Sequence, residues 1–403
     1  MTPDELEAEL TRFVRRLLPR EGVEAELRPE TALFEGGYLN SLRILDLIAF
    51  LEKAQGQKIP DRDVKLANFR SIRVIAQRFG SSDGAQPNDA SPERIFSHRS
   101  NRPPAGSPIE TLRNQGTITI FDAGNVGLSG MPLQLLEYFD AVALEWAREL
   151  GAIEHRYPSL IALESLERAG YVRSFPQHLA AVSHVEKVED VAQRIAPESP
   201  VSSSDLGPPR YALAPAVCFH CYPEWQGGTL PAKGAIITAR GRCCRFERDA
   251  LAPLDRLRDF TMREIIVLGS RDDVESVRRS LMQRAEELVT ALDLDASIDA
   301  ATDPFYGPSA DGKRLLQRAG ALKYELHLRL GSDEHTVAVA SFNHHADHFG
   351  RAFDIHLTSG ALAHSGCVAL GLERWVLAFL TQYGLDERHW PPAVTAPSAG
   401  ARA

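Results

Sequence analysis

The residues best suited to chemistry lie at 241–270, in the run GRCCRFERDALAPLDRLRDFTMREIIVLGS. Its pattern predicts two strands joined by a long loop. Arg245 and Glu247 are expected on one face of the first strand, and Phe260 and Glu264 on one face of the second. Together they offer a cation for phosphate or carboxylate, an aromatic plate for a base, and two carboxylates. An ordinary core hairpin with solvated charges remains the alternative.

Cysteine spacing gives a weaker signal. Cys218 and Cys221 form a Cys-x-x-Cys pair around His220, which is half of a structural zinc site, and the sequence has no second such pair. Cys243 and Cys244 are adjacent and would lie on opposite faces of a regular strand. Spacing alone nominates Cys218 with Cys221 and leaves any further ligand open.

Three histidines, His344, His345 and His348, cluster in the run SFNHHADHFG. Imidazoles are common metal ligands, so the cluster raises the question of a metal site. A hydrogen-bonded corner between a strand and a loop fits the pattern better than a second metal site.

The run HSGCVALGLERWVLAFL at 364–380 predicts a strand ending at Gly371, followed by a helix with Arg374 in its first turn. An arginine there could bind a phosphate together with the positive end of the helix dipole. Leu372 and Val376 would bury this helix whether or not it binds a ligand.

These segments need a scaffold, and the chain divides by composition. Residues 1–80 predict a helical bundle, with helices at residues 2–18, after Ser41, and at residues 71–79. From spacing alone, Ser41 is a helix-capping serine. Residues 81–116 are rich in Gly, Ser, Pro and Asn and predict a flexible linker, either a tether or a spacer.

The remaining residues are assigned to a catalytic-like domain at 117–392 and a disordered tail at 393–403. A chain of 403 residues allows two or more domains. Its net charge of -9 argues against a broad nucleic-acid surface. The acidic N-terminus is not a signal peptide, and no apolar run reaches membrane-spanning length. Five cysteines, an odd number, do not make a disulfide framework and fit a reducing compartment. These features indicate a cytoplasmic protein with no membrane partner.

The 241–270 run resembles motif 2 of class II aminoacyl-tRNA synthetases, Phe/Cys-Arg-x-Glu followed by a loop and an aromatic residue. Arg256, Phe260 and Glu264 have the spacing of the seryl-tRNA synthetase version, and residues 364–380 resemble motif 3. Over most of residues 120–390 the chain is more similar to the amino acid:[carrier protein] ligases, truncated homologues of atypical seryl-tRNA synthetases. The resemblance implies an α+β fold, with an antiparallel sheet flanked by helices.

The resemblance also implies a zinc site. In that family zinc is held by residues that correspond here to Cys218 in Pro-Ala-x-Cys, Glu264 and Cys367. Three protein ligands leave one tetrahedral position open, which in the family takes the substrate's α-amino group. Without the resemblance, three buried core residues would be the simpler interpretation.

By the same resemblance, Arg245 binds the α-phosphate of ATP and the carboxylate of the amino acid. Glu247 and Phe260 bind adenine, and Arg256 and Arg374 bind the distal phosphates. Arg245 and Arg374 are thus the expected catalytic residues.

Asn343 is expected near the substrate, where Arg245 and Glu264 also bind. ATP is expected to bring Mg²⁺. Seryl-tRNA synthetases have a magnesium-binding acid shortly before the asparagine, but here Val337 and Val339 stand at those positions. The magnesium ligand is therefore unassigned. A homodimer through residues 158–176 is a further expectation from the resemblance.

Residues 1–80 resemble an acyl or peptidyl carrier protein, in which a serine carries 4′-phosphopantetheine. The corresponding residue is Ser41, although Asn40 replaces the usual aspartate before it. A degenerate bundle without the cofactor is the alternative.

These resemblances predict ATP-dependent activation of a small amino acid, glycine or alanine, as an aminoacyl-adenylate. The aminoacyl group would pass to the phosphopantetheine thiol of a carrier protein, in cis or in trans, with no nucleic acid involved. A tRNA-aminoacylating enzyme like seryl-tRNA synthetase and a non-catalytic synthetase paralogue are the alternatives.

Overall fold

A computed structural model divides the chain into two compact units, Met1–Ile95 with Asp299–Tyr324, and Phe96–Ile298 with Glu325–Ala403. The structure describes residues 2–17, 27–33, 43–56, 59, 63, 66–80, 93–122, 124–193, 201–247, 251–306, 310–331 and 335–395. Within these ranges, each helix is too short or too polar to cross a membrane.

The first unit begins with three helices, α1 (Pro3–Leu17), α2 (Arg43–Gln55) and α3 (Ile72–Phe79). Their apolar side chains share one buried core, which includes Leu6, Leu10, Leu47, Leu51, Phe69, Ile72 and Ile75. Ser71 caps α3 by accepting a hydrogen bond from Val74 N at 3.3 Å. The three predicted helices are therefore present. Ser41 lies outside the described residues, so the carrier assignment stays a prediction.

The other elements follow in chain order: β1 (Arg94–His98), α4 (Ile109–Asn114), β2 (Ile118–Asp122), β3 (Asn125–Leu128), α5 (Gly130–Glu149), β4 (Ile153–His155), β5 (Leu160–Ala162), α6 (Leu163–Arg168), α7 (Tyr171–Ser174), β6 (Ala181–Val182), α8 (Val188–Gln193), β7 (Tyr211–Leu213), α9 (Cys221–Glu224), β8 (Ala235–Cys244), β9 (Asp259–Gly269), α10 (Arg271–Ala291), β10 (Ala296–Ala300), α11 (Ala310–Ala319), β11 (Lys323–Arg329), β12 (Thr336–His344), α12 (His348–Phe353), β13 (His364–Gly371), α13 (Leu372–Tyr383) and α14 (Pro392–Thr395). In the described part of the chain, the largest sheet has the strand order β1-β10-β11-β12-β13-β9-β8-β4. Two smaller sheets have the orders β2-β3 and β5-β7-β6.

The large sheet confirms the predicted α+β class. Its central strands β12, β13, β9 and β8 are antiparallel, whereas β4 joins the edge of β8 in parallel. The strand and helix predicted around Gly371 are also present as β13 and α13.

The flexible linker predicted for residues 81–116 does not hold from residue 94 onward. That part contains β1, at the edge of the large sheet, and α4. Arg94 Nε donates to Asp299 Oδ1 at 2.9 Å, and this acidic partner is distant in sequence and buried. Such long-range bonds offset the low aliphatic content on which the prediction relied. Residues 81–92 lie outside the described ranges.

Two smaller predictions also differ from the structure. Arg245 and Glu247 follow the end of β8 instead of lying within it, because Phe246 N donates to His178 O at 3.0 Å and leads the chain out of the sheet. The disordered tail predicted for residues 393–403 begins inside α14, and the rest of it lies outside the described residues.

One face of the central strands gathers the predicted site residues, because directly opposed residues in antiparallel strands share a face. Glu264 on β9 lies opposite Ala369 on β13. Cys367 is two residues from Ala369, and it lies opposite Asn343 on β12. Phe260 shares the face of Glu264 by strand alternation.

The opposite face of β9 is bound to helices. There the Arg263 side chain forms an ion pair with Asp140 of α5, and Thr261 is hydrogen-bonded to Glu373 of α13. The two faces of one strand therefore have different tasks, since one presents functional groups and the other fixes the strand in the fold.

Candidate active site

Cys218, Glu264 and Cys367 converge on one point in the described structure. A thiol or carboxylate atom from each lies within 4.8 Å of the others. Their side chains come from three separate parts of the chain, and their residues are at most 6% exposed. The grouping named from family resemblance is thus physically close.

Glu264 positions the cysteine that is not on the sheet. Its Oε1 accepts a hydrogen bond from Val217 N at 2.8 Å, and its Oε2 accepts one from Cys218 N at 3.2 Å. These bonds fasten the single helical turn Val217–His220 to the face of β9. Because each carboxylate oxygen has two lone pairs, both can still face a cation.

The electrostatics of the three residues favour a cation among them. Burial raises the pKa of Glu264, against the opposing effects of hydrogen bonds from Cys218 and Val217 and the charge of Arg245. The pKa of the Cys218 thiol is raised well above its ordinary value by its hydrogen bond with Cys367, by burial and by the charge of Glu264. A divalent cation would remove the repulsion that makes ionisation costly here.

The three residues fit Zn²⁺ in donor type and spacing. Two sulfur atoms and one carboxylate oxygen are typical zinc donors, and tetrahedral ligand atoms lie about 3 to 4 Å apart. A site with three protein ligands would retain an open position.

The pair nominated by spacing, Cys218 with Cys221, is divided by the fold. Cys221 is fully buried among apolar side chains that include Tyr222 and Phe349, and it is not in the described ligand group. Cys243 is also buried and lies in a separate cluster with Met262 and Ala239. All five cysteines are free thiols.

Arg245 lies near the ring of Phe260. The guanidinium carbon is 5.4 Å from the ring centroid, and Nε donates to Pro215 O at 3.0 Å. The arginine is also close enough to Glu264 for its charge to act on that carboxyl's pKa. A cation and an aromatic surface therefore adjoin the thiol and carboxylate cluster.

Glu247 and Arg256 form an ion pair at 2.6 Å across the loop between β8 and β9. The Glu247 side chain is 17% exposed and that of Arg256 is 45% exposed. This contact stabilises the loop without occupying both carboxylate oxygens, so Glu247 can still accept another hydrogen bond.

Arg374 is anchored by backbone carbonyls. Its Nε donates to Asp255 O at 2.5 Å, and its Nη1 donates to Ala338 O at 3.0 Å. Burial lowers its pKa, opposed by Asp255 and reinforced by the nearby charges of Arg245 and Arg256. Arg374 and the two guanidinium groups within its electrostatic range form a suitable environment for an anion.

Glu373 is a site residue that the sequence analysis missed. It is 4% exposed, and its two oxygens accept bonds from Thr261 N at 2.9 Å each, with Thr261 Oγ1 at 2.8 Å from Oε1. Thr261 lies beside Phe260 and just beyond the pairing of β9 with β13. Glu373 therefore ties the helix turn that carries Arg374 to the strand that carries Phe260. An acidic residue directly before Arg374, at the start of a largely apolar helix, was the available signal.

The three clustered histidines have separate environments. His344 Nδ1 accepts a hydrogen bond from Ala346 N at 2.9 Å, and His348 Nε2 lies 2.9 Å from Ala169 O. His345 Nε2 lies 3.8 Å from Cys367 Sγ. Among the described residues, the three rings do not form a metal-ligand group.

Tyr157 is a second residue that sequence reasoning missed. Its ring packs against the two apolar clusters that contain Cys218 and Ala239. It stacks on His220 at 5.2 Å, and its hydroxyl lies 3.1 Å from His155 Nδ1. Tyr157 follows the edge strand β4 and so contributes a wall beside the cluster.

Comparisons with solved structures identify the class of fold. The chain matches M. kandleri SerRS, solved in complex with A. aeolicus tRNASec, with a TM-score of 0.68 at 22% identity, over 80% of this chain and 66% of that one. It matches the cytoplasmic serine-tRNA ligase of Naegleria fowleri, solved with AMP, with a TM-score of 0.59 at 12% identity, over 88% and 87%. At these identities the likeness is one of fold, that of the class II synthetases.

Sequence relatives narrow the class. Amino acid–[acyl-carrier-protein] ligase 1 of Bradyrhizobium diazoefficiens is 35% identical over 61% of this chain and 76% of its own length. Ligase 2 of the same organism is 33% identical over 72% and 88%. The type-2 serine–tRNA ligase of Methanococcus aeolicus is 29% identical, and the match spans 58% of its length. No protein-family model matches. The chain belongs to the amino acid–[acyl-carrier-protein] ligase family.

Proposed function

We propose that the protein activates glycine or alanine with ATP as the aminoacyl-adenylate and transfers the aminoacyl group to the phosphopantetheine thiol of a carrier protein. The carrier is its own N-terminal bundle, modified at Ser41, or a separate protein. The enzyme acts in the cytoplasm as a homodimer and needs no nucleic acid.

One observation carries the proposal. The cluster of Cys218, Glu264 and Cys367 lies on the same sheet face as Phe260 and within electrostatic range of Arg245. A site for an amino group thus adjoins a cation and an aromatic plate, which are the parts that an amino acid and a nucleotide need together.

The first step forms the acyl-phosphate bond. Arg245 neutralises the substrate carboxylate and the α-phosphate as a carboxylate oxygen attacks the α-phosphorus and pyrophosphate leaves. Phe260 and Glu247 hold adenine, while Arg256 and Arg374 hold the leaving phosphates. A general base is not required, because the carboxylate is already ionised and positioning supplies most of the acceleration.

The cluster supports selection of a small amino acid. Cys218, Glu264 and Cys367 would hold Zn²⁺, which would supply an open coordination position for the neutral α-amino group of the substrate. The three ligands are almost fully buried, and Ala369 lies directly opposite Glu264 on the next strand. A metal bound among such buried ligands would leave little room beside the substrate amine, so we expect a short substrate side chain, that of glycine or alanine. Mg²⁺ accompanies ATP, with no protein ligand assigned.

The second step forms a thioester. The phosphopantetheine sulfur attacks the carbonyl carbon of the adenylate, the bond to AMP breaks, and the thiol proton passes to the departing phosphate. Transfer to the phosphopantetheine on Ser41 of the same chain requires only a flexible segment between bundle and site.

A tRNA-dependent reaction is the second candidate, because type-2 serine–tRNA ligases are also relatives of this chain. The net charge of -9 disfavours it, since tRNA binding depends on clustered Lys and Arg. Amino acid attached to tRNA by the purified protein would establish this function instead.

Intact-protein mass spectrometry of the phosphopantetheine-bearing chain tests the proposal. The protein is incubated with ATP, Mg²⁺, Zn²⁺ and one amino acid at a time, and pyrophosphate exchange is followed in parallel. We expect one aminoacyl group to be added with glycine or alanine and removed by hydroxylamine, as a thioester would be.

Matched variants separate the two steps. Ser41→Ala should keep pyrophosphate exchange and lose the added mass, whereas Cys367→Ala should lose both and Cys243→Ala neither. Added mass that survives Ser41→Ala would exclude loading at Ser41. Absence of exchange with every amino acid in zinc-replete protein would overturn the proposed activity and favour a non-catalytic paralogue.

A further inference from the structure

The sulfur of Cys367 is approached by two nitrogen atoms from the end of β12. Asn343 Nδ2 lies 3.5 Å from Sγ, and His345 Nε2 lies 3.8 Å from it. Sulfur is large, so both separations are within hydrogen-bonding range. The amide and the imidazole reach the same atom because Asn343 is paired with Cys367 across the two strands.

The rest of the His345 ring is held in place. Its Nδ1 is 3.1 Å from Ser365 Oγ and 3.4 Å from Tyr222 OH. Its backbone N donates to Ser365 O at 2.8 Å, and its ring meets the Phe349 ring edge to face, with centroids 4.9 Å apart. A hydroxyl that donates to Nδ1 leaves the ring proton on Nε2, which faces Cys367.

The geometry points to His345 as a positioning residue for the metal ligand Cys367, to whose thiolate it donates a hydrogen bond from Nε2. This inference rests on the proposed function. The histidine is not itself a ligand, because the described ligand group comprises Cys218, Glu264 and Cys367. It acts through a hydrogen bond to the sulfur and not through the metal, as residues around metal ligands commonly do.

The hydrogen bond has two physical effects. It places an N–H donor against a sulfur atom that is buried, so the Cys367 side chain is held in one orientation. It also fixes the direction of the sulfur lone pairs and withdraws electron density from them. Loss of such outer partners typically weakens metal binding by about 10- to 100-fold.

His348 provides a matched control. It lies three residues further along, and its Nε2 is 2.9 Å from Ala169 O. Replacing either histidine by glutamine removes an imidazole from the same corner of the fold. Only the His345 replacement removes a contact with Cys367.

The test measures metal binding directly on the full-length chain. Zinc affinity is determined by competition with a chromophoric chelator for wild type, His345→Ala, His345→Gln, Ser365→Ala and His348→Gln. We expect the dissociation constant to rise about 10- to 100-fold for His345→Ala. It should rise less for His345→Gln and Ser365→Ala, and stay within about twofold for His348→Gln.

A spectroscopic measurement distinguishes an electronic role from a structural one. In protein loaded with Co²⁺, the thiolate-to-cobalt charge-transfer band should move to longer wavelength when the N–H donor to Cys367 is lost. Thermal unfolding of the same samples reports general damage. If His345→Ala does not fold, the milder His345→Gln and Ser365→Ala variants carry the test.

The outcomes separate this inference from the proposed function. Zinc bound by wild type and lost in Cys367→Ala, with affinity and charge-transfer band unchanged in all His345 and Ser365 variants, overturns the inference alone. Equal weakening in His348→Gln also overturns it. Failure of wild type to bind zinc through Cys367 removes the metal site itself.

Discussion

Arg263 and Asp140 form a doubly hydrogen-bonded ion pair immediately behind Glu264. Arg263 Nε lies 2.7 Å from Oδ1 and Nη2 lies 2.9 Å from Oδ2. The two residues are 2% and 6% exposed. The pair joins α5 to β9 through the residue next to Glu264, so the stability of the fold and the position of the carboxylate depend on the same strand.

Removal of one partner should be strongly destabilising. Asp140→Asn leaves a buried guanidinium with reduced compensation and should lower the free energy of unfolding by about 3 to 5 kcal/mol. Tryptophan fluorescence during urea unfolding measures the change. Glu137→Gln, which weakens only the half-exposed pair with Arg240, should cost no more than about 1 kcal/mol. Equal effects of the two variants would show that burial of the Arg263 pair has no special weight.

Metal removal should abolish amino acid activation reversibly. Protein dialysed against a strong chelator should lose pyrophosphate exchange and regain it with Zn²⁺, because the open position then binds the substrate amine. Glu264→Gln should reduce the exchange rate by about 100-fold or more, beyond the usual effect of an outer-shell partner. Cys221→Ser, changed at a buried thiol outside the ligand group, serves as the control for folding. Full exchange activity in metal-free protein would contradict the prediction.

Glu373 should affect ATP more than the amino acid. Glu373→Gln replaces one acceptor by a donor facing the N–H of Thr261, so the first turn of α13 and Arg374 shift together. Loss of the hydrogen bond from Thr261 to the buried Glu373 carboxylate should move Arg374 and raise the KM for ATP by about tenfold or more. Steady-state exchange at saturating amino acid measures it, and the exposed Glu387→Gln on the surface should leave KM unchanged. An unchanged KM in Glu373→Gln would argue against this tie.

Acid should destabilise the protein through His344. Burial lowers the pKa of His344 from 6.5 to about 4, and the charges of Arg278 and His364 act in the same direction. Between these pH values the unfolded chain binds a proton that the folded chain does not, so stability is full above pH 6.5 and falls as the pH decreases toward 4. The loss is at most about 3 kcal/mol. Urea midpoints across this range should show a shallower slope in His344→Gln than in wild type, and equal slopes in the two proteins would contradict the prediction.

Ser41 should accept phosphopantetheine, and Asn40 should limit the rate. Incubation with a broad-specificity phosphopantetheinyl transferase and coenzyme A should add one phosphopantetheine to the wild type and none to Ser41→Ala. Asn40→Asp restores the acidic residue that carriers usually have before the serine, and we expect faster modification. Time-resolved mass spectrometry measures both. Modification of Ser41→Ala would place the cofactor elsewhere.

Sequence patterns predicted the strand and helix around Gly371 and the helices near the N-terminus, because apolar spacing and glycine placement are local signals. The convergence of Cys218 with Glu264 and Cys367 was nominated only through family resemblance. Spacing favoured Cys221 instead, because nothing local reveals which thiol faces β9. The linker prediction failed around Arg94 for the same reason, because the acidic partner of Arg94, Asp299, is distant in sequence. Glu373 was missed because its role depends on where β13 stops pairing with β9.

The alternation of β9 has a consequence for how the chain finds its native pairing. A slip of one residue would exchange the environments of Arg263 and Glu264, placing a guanidinium among the thiols and a carboxylate against Asp140. The first exchange buries a guanidinium away from its partner Asp140, and the second buries two carboxylates against each other. The order of charge in these two consecutive residues therefore makes a register shifted by one residue less stable than the native register.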